Sequence, residues 1–159
     1  MKYRQLTLDE LEELQTEFIR FLAANTVTGD DWTRIKAEDP QKAQGLIEIF
    51  SDLVFDKIIA GIEYLEVKTP LDYKTFYCTA DKIYLLGLKV EGASSFDFTQ
   101  NEAPQEMMAR IQNTDAQLQL YSAEKGYQPN REAELFRMLE NGARIDKTGT
   151  MYQLLAGLK

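Results

Sequence analysis

The chain has 159 residues, of which 26 are acidic and 18 basic, for a net charge of -8, and it contains no histidine. That balance disfavours nucleic acid and anionic membranes as partners, and the missing imidazole removes the commonest general base near neutral pH together with every Ser-His and Cys-His nucleophile pair. With 44% hydrophobic and 28% charged residues the composition is that of a globular protein, and a chain of this length buries about 70% of the surface its unfolded form exposes, enough for one core.

The opening MKYRQLTLDEL has no apolar signal region, and no apolar run approaches the ~20 residues of a membrane helix. A cytoplasmic location is expected, and the lone Cys78 suits a reducing compartment. Thr7 with Glu10 three residues on spells a capping box, which predicts a helix from Leu8 to Ala24 with Leu11, Leu14, Phe18, Phe21 and Leu22 inward. Thr28 with Asp31 repeats the signal for a short second helix that ends before Pro40. Asp39-Pro40 is a cap followed by a favoured first position, and the third helix then runs without a breaker to Gly61.

Three runs follow, IEYLEVKT, YKTFYCT and KIYLLGLKVEG, rich in aromatic and β-branched residues and separated by turn signals. They predict an antiparallel meander whose third strand is buried on both faces. After a loop at GASSFDFTQNEAPQ come a helix over Glu102 to Gln112, a strand at QLQLY and a helix from Pro129 to Asn141. A short edge strand at ARI and a last helix with a capping box at Thr150 and Gln153 complete the chain. The expected class is α+β, or α/β, in a single globular domain over residues 1-159, with a helical part (1-61), a meander (62-91) and a mixed part (92-159).

On the third helix, Glu48, Asp52 and Asp56 recur every four residues and share a sector of about 80°. Mg²⁺ accepts such oxygens, but the same spacing marks a solvated face on many helices. The stripe therefore reads as a wet edge paired with a cation such as Arg4 or Lys42. The order of long helix, three-stranded meander, helix and strand resembles the restriction-endonuclease-like fold. That resemblance implies a Mg²⁺ site with Glu48 or Asp52 as first ligand and Asp72 as second, but the third element fails. Lys89 stands in GLK, so Gly87 occupies the acid's place, and the EVK of Glu66 to Lys68 restores the spacing on the wrong strand.

Lys125, Tyr127 and Arg131 lie on a Gly/Pro loop before a helix start and form a candidate anion or ligand loop. Tyr64, Tyr73, Tyr77 and Tyr84 offer a docking surface or, alternatively, core and cross-strand pairs. MKYRQLT, FSDLVF at Phe50 to Phe55 and EYLE at Glu63 to Glu66 together resemble a family of short uncharacterised cytosolic proteins from Bacteroidetes-type bacteria. The resemblance covers nearly the whole chain, brings no catalytic residue, and sets Ser51 and Asp52 inside a motif. The expected function is a non-enzymatic cytosolic binding or regulatory module, without cofactor, that acts by contact with another protein or with a second copy. The alternative is a metal-dependent hydrolase of nuclease-like topology, active or degenerate, using Mg²⁺.

Overall fold

Thr7 and Thr28 each start a helix by the reciprocal bonding their spacing predicts. Thr7 Oγ1 accepts the Glu10 N–H at 3.2 Å while the Glu10 carboxylate accepts the Thr7 N–H at 2.8 Å, and Thr28 and Asp31 repeat the pair at 3.1 and 3.0 Å. The computed structural model of the chain describes residues 1–92, 96–100, 102–113 and 117–159, which divide into two units, Met1–Ala60 and Gly61–Lys159. The class is α+β, with N-terminal helices, an antiparallel meander, alternating helix and strand, and a C-terminal helix.

The first unit holds α1 (Leu8–Glu13), α2 (Gln15–Ala24), α3 (Gly29–Glu38) and α4 (Pro40–Ala60). The helix expected over Leu8 to Ala24 is thus two helices broken at Leu14, whose φ of -100° and ψ of 22° leave the helical range. No breaker residue marks that point. α1 buries no side chain whereas α2 buries Phe18 and Leu22, so packing fixes only the second axis. Phe18 lies 5.0 Å from Phe50 and 5.2 Å edge-on from Trp32, and this aromatic cluster joins α2, α3 and α4. Asp39 caps α4 by accepting the Lys42 N–H at 3.2 Å.

The second unit is built on a five-stranded sheet: β1 (Tyr64–Thr69), β2 (Asp72–Cys78), β3 (Lys82–Glu91), β4 (Gln117–Gly126) and β5 (Arg144–Asp146). The order is β4-β3-β2-β1-β5 and every neighbouring pair is antiparallel. Helices α5 (Pro104–Gln112), α6 (Arg131–Glu140) and α7 (Thr150–Gly157) complete it. Tyr73, Leu86, Leu88 and Val90 share one sheet face and pack with Met107 and Ile111 of α5 and Met151 and Leu155 of α7. Burial of each such side chain stabilises the fold by roughly 1.5–3 kcal/mol. Phe76, Cys78, Ile83 and Leu85 face the other way. Burial pushes the Cys78 thiol up to about 11, with Arg131 pulling weakly in the opposite sense. Among the described residues no helix is long and apolar enough to cross a membrane.

Among the features that differ from the sequence reading are the start of α6, the end of β4 and the cap of α7, and part of the predicted loop after Gly92 lies outside the described residues. α6 begins at Arg131 rather than Pro129, because Asn130 caps it by accepting the Ala133 N–H at 2.9 Å. The fourth strand continues past Tyr121 to Gly126, each residue paired with β3. The capping box at Thr150 does not form. Gly149 takes the cap position at φ +67°, pressed against the Tyr64 ring, and the Thr148 hydroxyl accepts the Thr150 N–H at 3.3 Å.

Gly87 sits directly across from Tyr121, and the Tyr121 ring lies so close that a β-carbon at Gly87 would meet its Cζ at 2.1 Å. Gly87→Ala is therefore expected to destabilise the protein by about 1–3 kcal/mol. In a Tyr121→Ala background the same change should cost far less, and equal costs in the two backgrounds by urea titration would show that the ring is not the obstacle.

Candidate functional site

The acid stripe of α4 holds the start of the chain. Asp52 accepts the backbone N–H groups of Lys2 and Tyr3 at 2.7 and 3.0 Å, one on each carboxylate oxygen. One turn on, Asp56 accepts the Lys2 ammonium at 2.8 Å and the Tyr3 hydroxyl at 2.6 Å. Ser51 is fully buried; its hydroxyl accepts the Leu6 N–H at 2.9 Å and donates to the Ile47 carbonyl at 2.7 Å. Residues 2–6 thus run along α4 as a strap, with the Lys2, Tyr3 and Leu6 N–H groups taken by side chains of that helix. Tyr3 packs 5.7 Å from Phe55, and Arg4 stacks over the same ring at 4.9 Å. Arg4 pairs with Glu10 at 2.8 Å, and that contact with the Thr7 backbone bond holds the Glu10 carboxyl down at about 2. Gln44 donates to Glu48 at 3.4 Å.

Asp72 opens β2 in the second unit. Its carboxylate receives the Lys74 ammonium and the Tyr121 hydroxyl, and these hydrogen bonds outweigh burial, so its pKa is lowered. Among the described residues no group of three His, Cys, Asp or Glu side chains gathers at metal-binding spacing.

The predicted anion loop is anchored at each of its three residues. The Lys125 ammonium lies 2.5 Å from Glu134, a buried carboxylate that Arg137 also meets at 3.1 Å. The Tyr127 hydroxyl donates to the Thr79 carbonyl at 2.6 Å, and Arg131 donates to the Thr79 and Ile62 carbonyls at 3.2 and 2.6 Å. Of the four meander tyrosines, Tyr64, Tyr77 and Tyr84 form a cross-strand row at 5.1 and 6.2 Å, which Tyr152 of α7 joins. Tyr73 is buried elsewhere on the same face.

A cavity of about 420 Å³ opens beside β1 and β5, lined by Glu66, Lys68, Thr99, Gln100, Gly142 and Arg144. Glu66 and Arg144 are direct cross-strand partners. The Tyr73 hydroxyl donates to one Glu66 oxygen at 2.5 Å, and the Lys68 ammonium stands 3.6 Å from the other. Burial first, and Glu66 second, push the Tyr73 phenol up, so it stays a donor.

A model of one protein family matches residues 1–159. The chain belongs to DUF6495, a family of unknown function. No curated protein and no solved structure matches it. DUF6495 membership therefore brings no activity and no site residue, and the geometry alone carries the functional argument. Two of the three stretches on which the sequence resemblance rests are explained by that geometry, since MKYRQLT and FSDLVF are each other's partners across the strap. The cavity residues escaped the sequence reading. Glu66-x-Lys68 was weighed there only as a metal-motif spacing on the wrong strand, although a strand with alternation sends both charges to the same face, and Arg144 belongs to a three-residue strand too short to show a period.

Two outcomes are expected for the strap. Ser51→Ala leaves the Leu6 N–H without its acceptor in a buried setting and should cost about 1–3 kcal/mol in thermal or denaturant unfolding; no change would mean that water replaces the hydroxyl. The strap should also open at both ends of the pH scale. Lys2 and Tyr3 hold the Asp56 carboxyl below its ordinary value, so its contribution is complete above ~4 and lost as pH falls through that lowered value. Burial, then Asp56, pushes the Tyr3 phenol up to about 12, so its contribution is complete below ~10 and lost as pH rises beyond that. Titration of the Tyr3 ring carbons by NMR checks this, and an unshifted midpoint near 10 would show the strap to be open already.

Proposed function

We propose that this chain is a non-enzymatic binding module that receives an extended, partly apolar segment of another protein on its sheet. The observation that carries the reading is a groove of about 380 Å³ across β2, β3 and β4, with Phe76, Ile83, Leu85 and Ala123 in its lining together with Lys74, Glu124 and Lys125. A sheet face that meets water alternates polar side chains outward. Here half-buried Phe76 and Leu85 share that face with Lys74 and Lys125. The groove reaches β4, the outermost of the described strands on its side, whose ten residues pair only with β3. An outer strand of that length presents unpaired backbone groups to which an extended segment can add.

The absence of histidine supports a non-catalytic role, and Asp72, which the nuclease-like alternative needs as a ligand, is already held by Lys74 and Tyr121. The test is capture from host extract of the wild-type chain and of Ala123→Glu, a change at an exposed position that leaves the core intact. The expected result is a stoichiometric protein partner that protects β4 from hydrogen exchange and is lost in the variant. A footprint away from β2–β4, self-association in its place, or a chain that stays free overturns the reading.

A further inference from the structure

We propose that the cavity beside β1 and β5 binds a free acidic α-amino acid. Its volume of about 420 Å³ lies within the ~300–1,000 Å³ of small-molecule sites, and every side chain named in its lining is polar, Gly142 contributing backbone alone. The decisive feature is a guanidinium left over. Arg144 stands directly across from Glu66, yet among the described residues its guanidinium makes no hydrogen bond or ion pair. Glu66 is turned elsewhere, with one oxygen taken by the buried Tyr73 hydroxyl and the other leaning on Lys68. Five N–H donors in a planar fork therefore border the cavity without an acceptor, the geometry that takes a carboxylate by two parallel hydrogen bonds.

Charge selects the ligand further. Lys68 and Arg144 against Glu66 give the lining a charge of one positive unit, in a chain whose total is -8. A ligand with two carboxylates and one ammonium group carries one negative unit and closes that balance. Its carboxylates meet Arg144 and Lys68, and its ammonium meets the Glu66 oxygen that faces Lys68. Tyr73 fixes Glu66 from beneath, so the acceptor is oriented before the ligand arrives. Thr99 and Gln100 supply neutral polar groups on the side of the loop that leads to α5. This site is separate in residues from the groove across β2–β4 and stands whether or not a protein partner is found there.

The test is isothermal titration calorimetry of the full chain against L-glutamate, L-aspartate, glutarate, L-glutamine and inorganic phosphate. One of the two acidic amino acids should bind, with glutarate, which lacks the ammonium, and glutamine, which lacks the second carboxylate, each at least ~10-fold weaker. Arg144→Gln should abolish binding with no change in the unliganded melting temperature, because Arg144 is exposed and unpaired. Lys68→Gln is the second variant, and Lys89→Gln, on the opposite face, is the control that should bind as the wild type does. Glu66→Gln should reverse the preference between glutamate and glutarate. Phosphate or glutarate binding as well as glutamate, binding that survives Arg144→Gln, or no heat from either acidic amino acid overturns the proposal.

Discussion

The register of β1, β2 and β3 is the constraint on which the sheet unit depends. Thr69 pairs with Asp72 across Pro70-Leu71, and Cys78 pairs with Ile83 across the next turn, where the Thr79 hydroxyl accepts the Asp81 and Lys82 N–H groups at 3.3 and 3.1 Å. These two short connections leave no freedom to slide. A slip of one residue would carry Tyr73, Leu86 and Leu88 to the face now occupied by Asp72, Gly87 and Lys89, and the core beneath α5 and α7 would lose its floor. The loop residues are tied to the same turn, since Pro70 and Leu71 accept the Phe98 and Val90 N–H groups at 2.8 and 2.9 Å.

In the helical unit the equivalent constraint is the chain start on α4. An extended segment has to find acceptors for its N–H groups, and α4 supplies them from two adjacent residues, Asp52 at the stripe and the buried Ser51 beside it. Two of the three acids whose spacing first suggests a metal site thus hold Lys2 and Tyr3, Asp52 by their backbone and Asp56 by their side chains. Glu48, one turn back, contributes little to that hold.

Helix starts, the meander and the turn positions were legible because their signals are local: a capping box or a two-residue turn is complete within a few residues. The wheel position of Asp52 and Asp56 was legible too, but their partners lie some fifty residues away and nothing local names them. The break at Leu14 carries no breaker residue, and Gly149 displaced Thr150 as cap because of a ring that arrives from β1. Gly87 read as a missing acid. Its reason is Tyr121, which comes from a strand beyond α5. Where the deciding contact crosses the sheet, composition and period give the face of a residue but not its neighbour.

The same small device occurs twice on this sheet, and its two settings explain the difference between them. Glu66-x-Lys68 on β1 and Asp72-x-Lys74 on β2 each place an acid and a lysine on one face, and each acid accepts a tyrosine hydroxyl, from Tyr73 and Tyr121 respectively. The pairs lie on opposite faces. On Asp72's side Gly87 lacks a side chain, so Tyr121 lies flat over the strand and closes the cluster. On Glu66's side the buried Tyr73 approaches from within the core, and the facing residue is Arg144, which leaves the carboxylate and two cations open to a cavity. A closed cluster of this kind serves the fold, whereas an open one with an unpaired guanidinium retains the capacity to bind. The distinction rests on one glycine and one arginine.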